Sequence, residues 1–325
     1  MLALSLVLAA AAGDLSLRYE AGAPVRYHAE SLFSAGGVPM IARQNLEARA
    51  VKLGVTLDLS CVPAAARKGW QLTCDVESAR LQGQAVSGDQ EKLDRVLAES
   101  AASLAEGTLV VDVAADGRVT GVALRGLPTD DEREAQIAEV LRQVCRRALA
   151  PLDVELPKDG VNPGKPWKQG GTPLAAELFV NAVPIWSGAG STATPVAAGV
   201  AGGLSLKHAV TAVDAAGLRF STEGKGNVTA LVTDSNTYYA HVEIGGQGRF
   251  DPAAGQIAYA TLTVTAADSA SASVRSLADG YTQSGWIARW NTDGSLEGPD
   301  GVIKAETAEA PAAPAAPEAP AATGP

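Results

Sequence analysis

At 325 residues and a formal net charge of -10, the chain is long enough for two domains of ordinary size, each able to bury its own core. Its acidic balance argues against a nucleic-acid binder, because phosphate neutralisation needs clustered Lys and Arg in excess. The densest basic group, Arg142, Arg146 and Arg147, reads as the solvated side of a helix.

From Met1 to Ala12 the chain is an apolar run of the length of a signal-peptide core, ending in small residues that a signal peptidase accepts. Residues 1–13 are therefore expected to be a signal peptide cleaved near Ala12 or Gly13, although the basic segment that usually precedes such a core is missing. A buried N-terminal strand or helix is the other reading of the same run. It is too short to cross a bilayer, and no later segment is long and apolar enough. No Cys follows it, so a lipid-anchored lipoprotein is not expected. The expected place of work is periplasmic, outer-membrane-associated or extracellular.

Val51, Leu53, Val55, Leu57, Leu59 and Cys61 share one parity, and Lys52, Gly54, Thr56, Asp58 and Ser60 share the other. This is the alternation of a half-buried strand. After Pro63 and the turn signal Arg67-Lys68-Gly69, Trp70, Leu72, Cys74 and Val76 alternate with polar residues. A hairpin here would set Cys61 opposite Cys74, and an exported protein could oxidise that pair. Two buried free thiols are the alternative; zinc is not expected, since no His or third Cys lies at ligand spacing.

A helix is predicted from about Asp89 to Leu104, with Leu93, Val96, Leu97 and Leu104 along one side. Leu109, Val111 and Val113 then alternate up to Asp116-Gly117, a hairpin turn signal, with a return from Val119 to Leu124. A second helix follows Pro128. Thr129 and Glu132 have the spacing of a capping box, and Ile137, Val140, Leu141, Val144, Cys145, Ala148 and Leu149 recur at helical spacing. That places Cys145 on a buried face, where it packs in the core; a catalytic thiol would need a His base and an electropositive, accessible setting.

Pro151, Pro157, Pro163 and Pro166 mark the end of this half, with Asn162 to Trp167 as a connector. Residues 14–160 read as an α+β domain: a curved antiparallel sheet carrying two helices. Residues 161–304 show short alternating segments, Leu204 to Val210, Leu218 to Thr222, Tyr238 to Ile244, Ala258 to Ala266 and Gly285 to Trp290. Turns are expected at Asp214 to Gly217, Gly245-Gly246, Asp251 to Gly255 and Asn291 to Gly294, giving a β-sandwich or barrel-like domain. The whole is thus mainly β (α+β). Residues 305–325, rich in Ala, Pro and Glu, are expected to be a disordered tail.

No nucleophile elbow, phosphate-binding loop, dinucleotide fingerprint or His-Glu-x-x-His helix occurs. The only histidines are His28, His208 and His241, all within predicted strands. By parity His28 and His241 read as solvated. His208 falls among Leu204, Leu206 and Val210, where a neutral, hydrogen-bonded core or rim histidine is expected. Two acidic turns, Asp112 with Asp116 and Asn291, Asp293, Glu297 with Asp300, have oxygen donors enough for a hard cation but fit ordinary turns better. No catalytic residue, cofactor or metal is assigned.

Aromatic residues gather in the second half, and core packing is their default role. The sharper reading is a cavity for an apolar ligand lined by Trp186, Phe220, Tyr238 and Trp286. On the run Val51 to Cys61, the return strand Trp70 to Val76 and the amphipathic helix, the first half resembles the half-barrels of periplasmic lipoprotein carriers and lipid-transfer proteins. The second half, in Gly248 to Asp251 followed by Gly255 to Ile257, is similar to secreted β-rich bacterial envelope proteins. The resemblance implies binding of a lipid or acyl chain and assigns no residue.

Two functions remain. One is a non-catalytic exported binding module for a lipid or other apolar envelope component, with a large apolar cavity between sheet and helices. The other is a structural or interaction protein of the envelope whose sheets are filled by their own side chains. An enzyme would need carboxylates gathered with His208 in a cleft, and the sequence does not bring them together.

Overall fold

A computed structural model describes residues 15–35, 50–85, 90–157, 160–161, 164–171, 174, 199–214, 217–233, 236–268, 281–298 and 301–304. The expected signal peptide, the residues around Trp186 and the tail from residue 305 lie outside these.

In chain order the strands are β1 (Val25–Ala35), β2 (Ala50–Ala66), β3 (Gly69–Ala85), β4 (Thr108–Ala114), β5 (Val119–Arg125), β6 (Trp167–Gly170), β7 (Gly199–Gly202), β8 (Ser205–Asp214), β9 (Gly217–Thr233), β10 (Asn236–Asp251), β11 (Gln256–Asp268), β12 (Tyr281–Arg289), β13 (Ser295–Gly298) and β14 (Gly301–Lys304). Helix α1 (Gln90–Glu106) lies between β3 and β4, and α2 (Glu132–Ala148) follows β5. The fold is mainly β, as the alternation predicts.

Twelve strands form one antiparallel sheet in the order β5-β4-β3-β2-β1-β12-β11-β10-β9-β8-β6, with β7 also on β9. The sheet is not closed into a barrel. The expected boundary near residue 160 does not divide it: β1 pairs with β12 from Tyr27 opposite Arg289 to Ala35 opposite Tyr281, so the second set of strands continues the first instead of stacking as a sandwich.

Alternation explains why each strand has one apolar face. Tyr27, Ala29 and Phe33 on β1 share an inner face with Leu53, Val55, Leu57 and Leu59 on β2, Val264 on β11 and Ile287 on β12. A single cluster of buried side chains continues from these through Phe220, Val242 and Phe250 of the second half. Both helices pack on this inner face. Leu93 and Leu97 of α1 come to Gly83 of β3, where a side chain would meet Leu97. Helix α2 lies against β1, β2, β5 and β12.

The segment between α2 and the expected connector packs into the core, whereas Gly164 to Pro166 of the connector are exposed. Ala150, Leu152, Val154, Leu156 and Val161 are all buried, and Leu156 N–H donates to Asp116 O across 2.6 Å. This segment passes so close to the β4–β5 turn that a Cβ on Gly117, which has φ +94°, would lie 2.6 Å from Val154 O.

The start of α2 also differs from expectation. Asp131, not Thr129, is the N-cap, accepting from Glu134 N–H at 2.8 Å, while Glu134 Oε2 accepts from Asp130 N–H at 3.1 Å. The reciprocal logic is that of a capping box, moved two residues along. Gly245-Gly246 is not a turn either. It lies inside β10, and a Cβ on Gly246 would come 2.4 Å from Thr261 O, so the missing side chain allows close strand approach.

Candidate functional site

The outer face of the sheet, opposite the helices, carries a polar network built by strand parity. Residues of even number on β1 and β12 point to this face, so Arg26, His28 and Glu30 lie beside Trp286, Ala288 and Trp290. His28 Nδ1 is 2.7 Å from Asp58 Oδ1 of β2, and its Nε2 is 3.2 Å from Glu30 Oε1. Ser78 of β3 donates to Asp58 Oδ2 at 2.6 Å, and Trp286 Nε1–H donates to Glu30 Oε2 at 2.9 Å. Arg26 pairs with Glu77 and lies 5.7 Å over the Trp290 ring. The expectation that His28 is solvated is therefore corrected: its side chain is 15% exposed and is enclosed by two carboxylates and the Trp286 ring, 5.0 Å away.

This arrangement brings a Ser, an Asp and a His together, but the order of contacts is not that of a nucleophile–base–carboxylate relay. Ser78 donates to Asp58 and does not meet the imidazole, while both ring nitrogens face carboxylates. A relay needs one ring nitrogen turned to the nucleophile. Here the ring ties β1 to β2 through Asp58 and holds Glu30.

Next to Glu30 an open groove of about 420 Å³ crosses β3, β2, β1, β12 and β11. Its polar walls are Glu30, Thr56, Arg80, Thr261 and Ser284, with Trp286 at one side, the exposed Leu32 on its floor and Gly54 as a gap in the sheet surface. A Cβ on Gly54 would sit at 3.9 to 4.0 Å from Gln82 and Leu32, ordinary contact, so the gap at Gly54 is real space and not a forced approach. Gln82 braces Arg80: with its amide oxygen turned towards the guanidinium, it accepts from Nη2 at 2.6 Å and Nε at 3.0 Å.

On the inner face, His208 is fully buried, with Nε2 at 3.0 Å from Gln169 Oε1 and Nδ1 at 2.8 Å from Thr222 Oγ1. Gln169 Oε1 also accepts from Glu155 N–H, so the ring donates through Nε2 and accepts from Thr222. Burial pushes the His208 pKa down to about 4, which keeps the ring neutral. Stacked on Trp167 at 5.1 Å, it is a satisfied core histidine, as its parity predicts. His241 is half exposed and contacts Asn227 and Glu243.

The basic trio of α2 corrects another expectation. Arg142 pairs with Glu139 near the surface, but Arg146 and Arg147 are buried. Arg146 meets Asp153 at 3.0 Å; Arg147 lies 5.4 Å over the Phe33 ring and donates to Gln283 Oε1 at 3.4 Å. Cys145 is buried beside them, its pKa pushed up to about 12 by burial. Cys61 and Cys74 are directly opposed on β2 and β3 and joined as a disulfide.

Of the four candidate lining residues, Phe220 packs on the inner face with Trp167 and His208. Trp286 belongs to a separate outer cluster with Tyr259, Ala288 and Leu296 of β13. These two are on opposite faces and do not share a cavity wall. Tyr238 is placed on β10 by its backbone only, and Trp186 lies outside the described residues. The acidic turns spend their oxygens locally: Asp112 accepts from Gln71, Asp116 pairs with Arg118, Asp293 accepts from Ser295, and Glu297 pairs with Arg249. Among the described residues no group of three or more His, Cys, Asp or Glu side chains could hold a metal, and no helix is long and apolar enough to cross a membrane.

The outer-face network escaped the sequence because its partners are far apart along the chain: Glu30 and Trp286 meet only through the β1–β12 pairing. No protein-family model matches the chain, and no curated protein does either.

Proposed function

We propose that this chain is an exported, non-catalytic interaction protein of the cell envelope, which presents a broad sheet surface to its partner and whose inner face, among the described residues, is filled by its own side chains. The observation that carries this reading is the filling of the inner face. Leu141, Val144, Cys145 and Arg147 of α2 occupy the strip of sheet below the helix, and Tyr27, Phe33, Phe220 and Phe250 are wholly buried within one continuous cluster. A carrier of an acyl chain needs an apolar hollow in that same place. Export is supported by the apolar run from Met1 to Ala12 and by the Cys61–Cys74 disulfide, a bond at home in oxidising compartments.

Native mass spectrometry of the protein purified from its own host, followed by solvent extraction, tests the reading. The expected result is the mass of the oxidised chain cut near Ala12, with no lipid. A stoichiometric acyl species in the extract would overturn it in favour of the lipid-carrier alternative.

A further inference from the structure

We propose that the groove on the outer face is a binding site for a neutral saccharide chain. This deepens the interaction-protein reading by naming the class of partner, and it rests on that reading.

The volume, about 420 Å³, lies within the size range of small-molecule sites, roughly 300–1,000 Å³. The walls are mixed, with Leu32 and Trp286 beside a row of polar groups, as suits a sugar ring with its C–H faces and hydroxyl rim. Thr56 and Ser284 present hydroxyls, Arg80 presents N–H donors, and Glu30 presents acceptor oxygens, while the Thr261 hydroxyl is bonded to the Gln247 backbone. A sugar hydroxyl both donates and accepts, so it can pair with each of these groups. An acyl chain in the same groove would strip water from them without replacing the hydrogen bonds, at about 1–3 kcal/mol for each group left unpaired.

Charge narrows the class further. Glu30 would repel an anionic chain and is opposed across the groove by Arg80, which would repel a cationic one. His28 and Trp286 already bond one Glu30 oxygen each, fixing the carboxylate in place. Every carboxylate oxygen has more than one acceptor direction, so the fixed group can still receive a ligand hydroxyl. The exposed Leu32 and the rim of the largely buried Trp286 add apolar contact beside the polar row, where the C–H face of a sugar ring can rest. The groove runs across five strands and is open to solvent, which suits a stretch of chain better than a single enclosed ring.

Gly54 offers a clean test, because a side chain there projects into the groove from a position where a Cβ has ordinary contacts. Gly54→Val fills the space, and Thr56→Val removes one hydroxyl at nearly constant volume. The full protein is titrated with chitotetraose, maltotetraose and xylotetraose while the Trp286 indole N–H resonance and the Glu30, Thr56 and Ser284 amides are followed by NMR. At least one tetrasaccharide is expected to shift these signals at saturation. Gly54→Val is then expected to weaken binding about tenfold or more, equivalent to about 1.4 kcal/mol, with Thr56→Val weakening it less. Thermal melting within a few degrees of wild type shows that the variants fold.

Three results would overturn the proposal. No tetrasaccharide shifts these signals; binding occurs but is unchanged in Gly54→Val; or the same signals respond to neutral phosphatidylcholine vesicles and not to the sugars. None of these bears on whether an acyl species co-purifies with the protein, so the interaction-protein reading stands or falls separately.

Discussion

His28 and Asp58 are register partners across β1 and β2, with Nδ1 and Oδ1 2.7 Å apart. Burial pulls the His28 pKa down, but its hydrogen bonds to Asp58 and Glu30 and their charges outweigh burial, and the net shift is upward from 6.5. Asp58 is lowered from 3.8, first by its bond to His28, against burial, with help from Ser78 and from the charges of His28 and Arg26.

The pH window follows from these two directions. A raised histidine contributes stability that is complete below its unfolded pKa and is lost as pH rises through the folded one. A lowered carboxylate contributes stability present above its unfolded pKa and lost as pH falls through the folded one. The pair is therefore most stabilising in mildly acidic solution. His28→Gln is expected to cost about 1–3 kcal/mol there and less in alkaline solution. Thermal unfolding of both proteins across pH checks this: a gap in Tm that does not narrow with rising pH would contradict it.

His208 behaves in the opposite sense. Its folded pKa lies at about 4, below the ordinary 6.5, so the unfolded chain takes up the proton first. The stability from keeping it neutral is complete above 6.5 and is lost as pH falls towards 4. His208→Gln is expected to flatten the acid limb of the stability curve, even if it lowers Tm at neutral pH. An NMR titration should find the ring uncharged throughout the neutral range.

The Cys61–Cys74 bond closes a loop of sequence separation 13. On the chain-entropy account, losing it costs about 3 kcal/mol, so Cys61→Ala with Cys74→Ala should lower the denaturant midpoint accordingly. Cys145, buried and with its pKa pushed up to about 12, should resist alkylation in the native state and react only on unfolding. Mass spectrometry after iodoacetamide treatment, with and without denaturant, reads both thiol classes in one experiment.

Arg147 is 2% exposed, held between the Phe33 ring and Gln283. Arg147→Ala would open a hole and remove the guanidinium donor to Gln283 Oε1, leaving the Gln283 Nε2–H bond to the residue 147 carbonyl in place, and is expected to cost about 3–5 kcal/mol. Arg147→Met keeps most of the stem in the core and should cost clearly less. Equal losses in urea unfolding would mean that packing of the stem does not matter at this site.

Local chemistry made much of this fold legible. The alternation from Val51 to Cys61 and from Trp70 to Val76 places both strands and brings the two cysteines opposite each other, since a tight hairpin leaves little freedom of register. The parity of His208 places it correctly in the core. What failed depended on distant partners. Arg147 has the look of a surface residue until β12 brings Gln283 beneath it, and His28 looks solvated until Trp286 arrives from the other end of the chain. Gly245-Gly246 looks like a turn because glycine pairs usually make one; here the lack of side chains serves close strand packing.

Hydrogen exchange of α2 during titration with a dispersed long-chain fatty acid tests whether the inner face is filled by the chain itself. With the inner face filled, the amides of α2 and of the facing strands β1 and β12 keep the same protection at every fatty-acid concentration below its micelle threshold. Saturable loss of α2 protection, with the helix lifting as an acyl chain enters beneath it, would contradict a filled inner face and make the protein a lipid carrier.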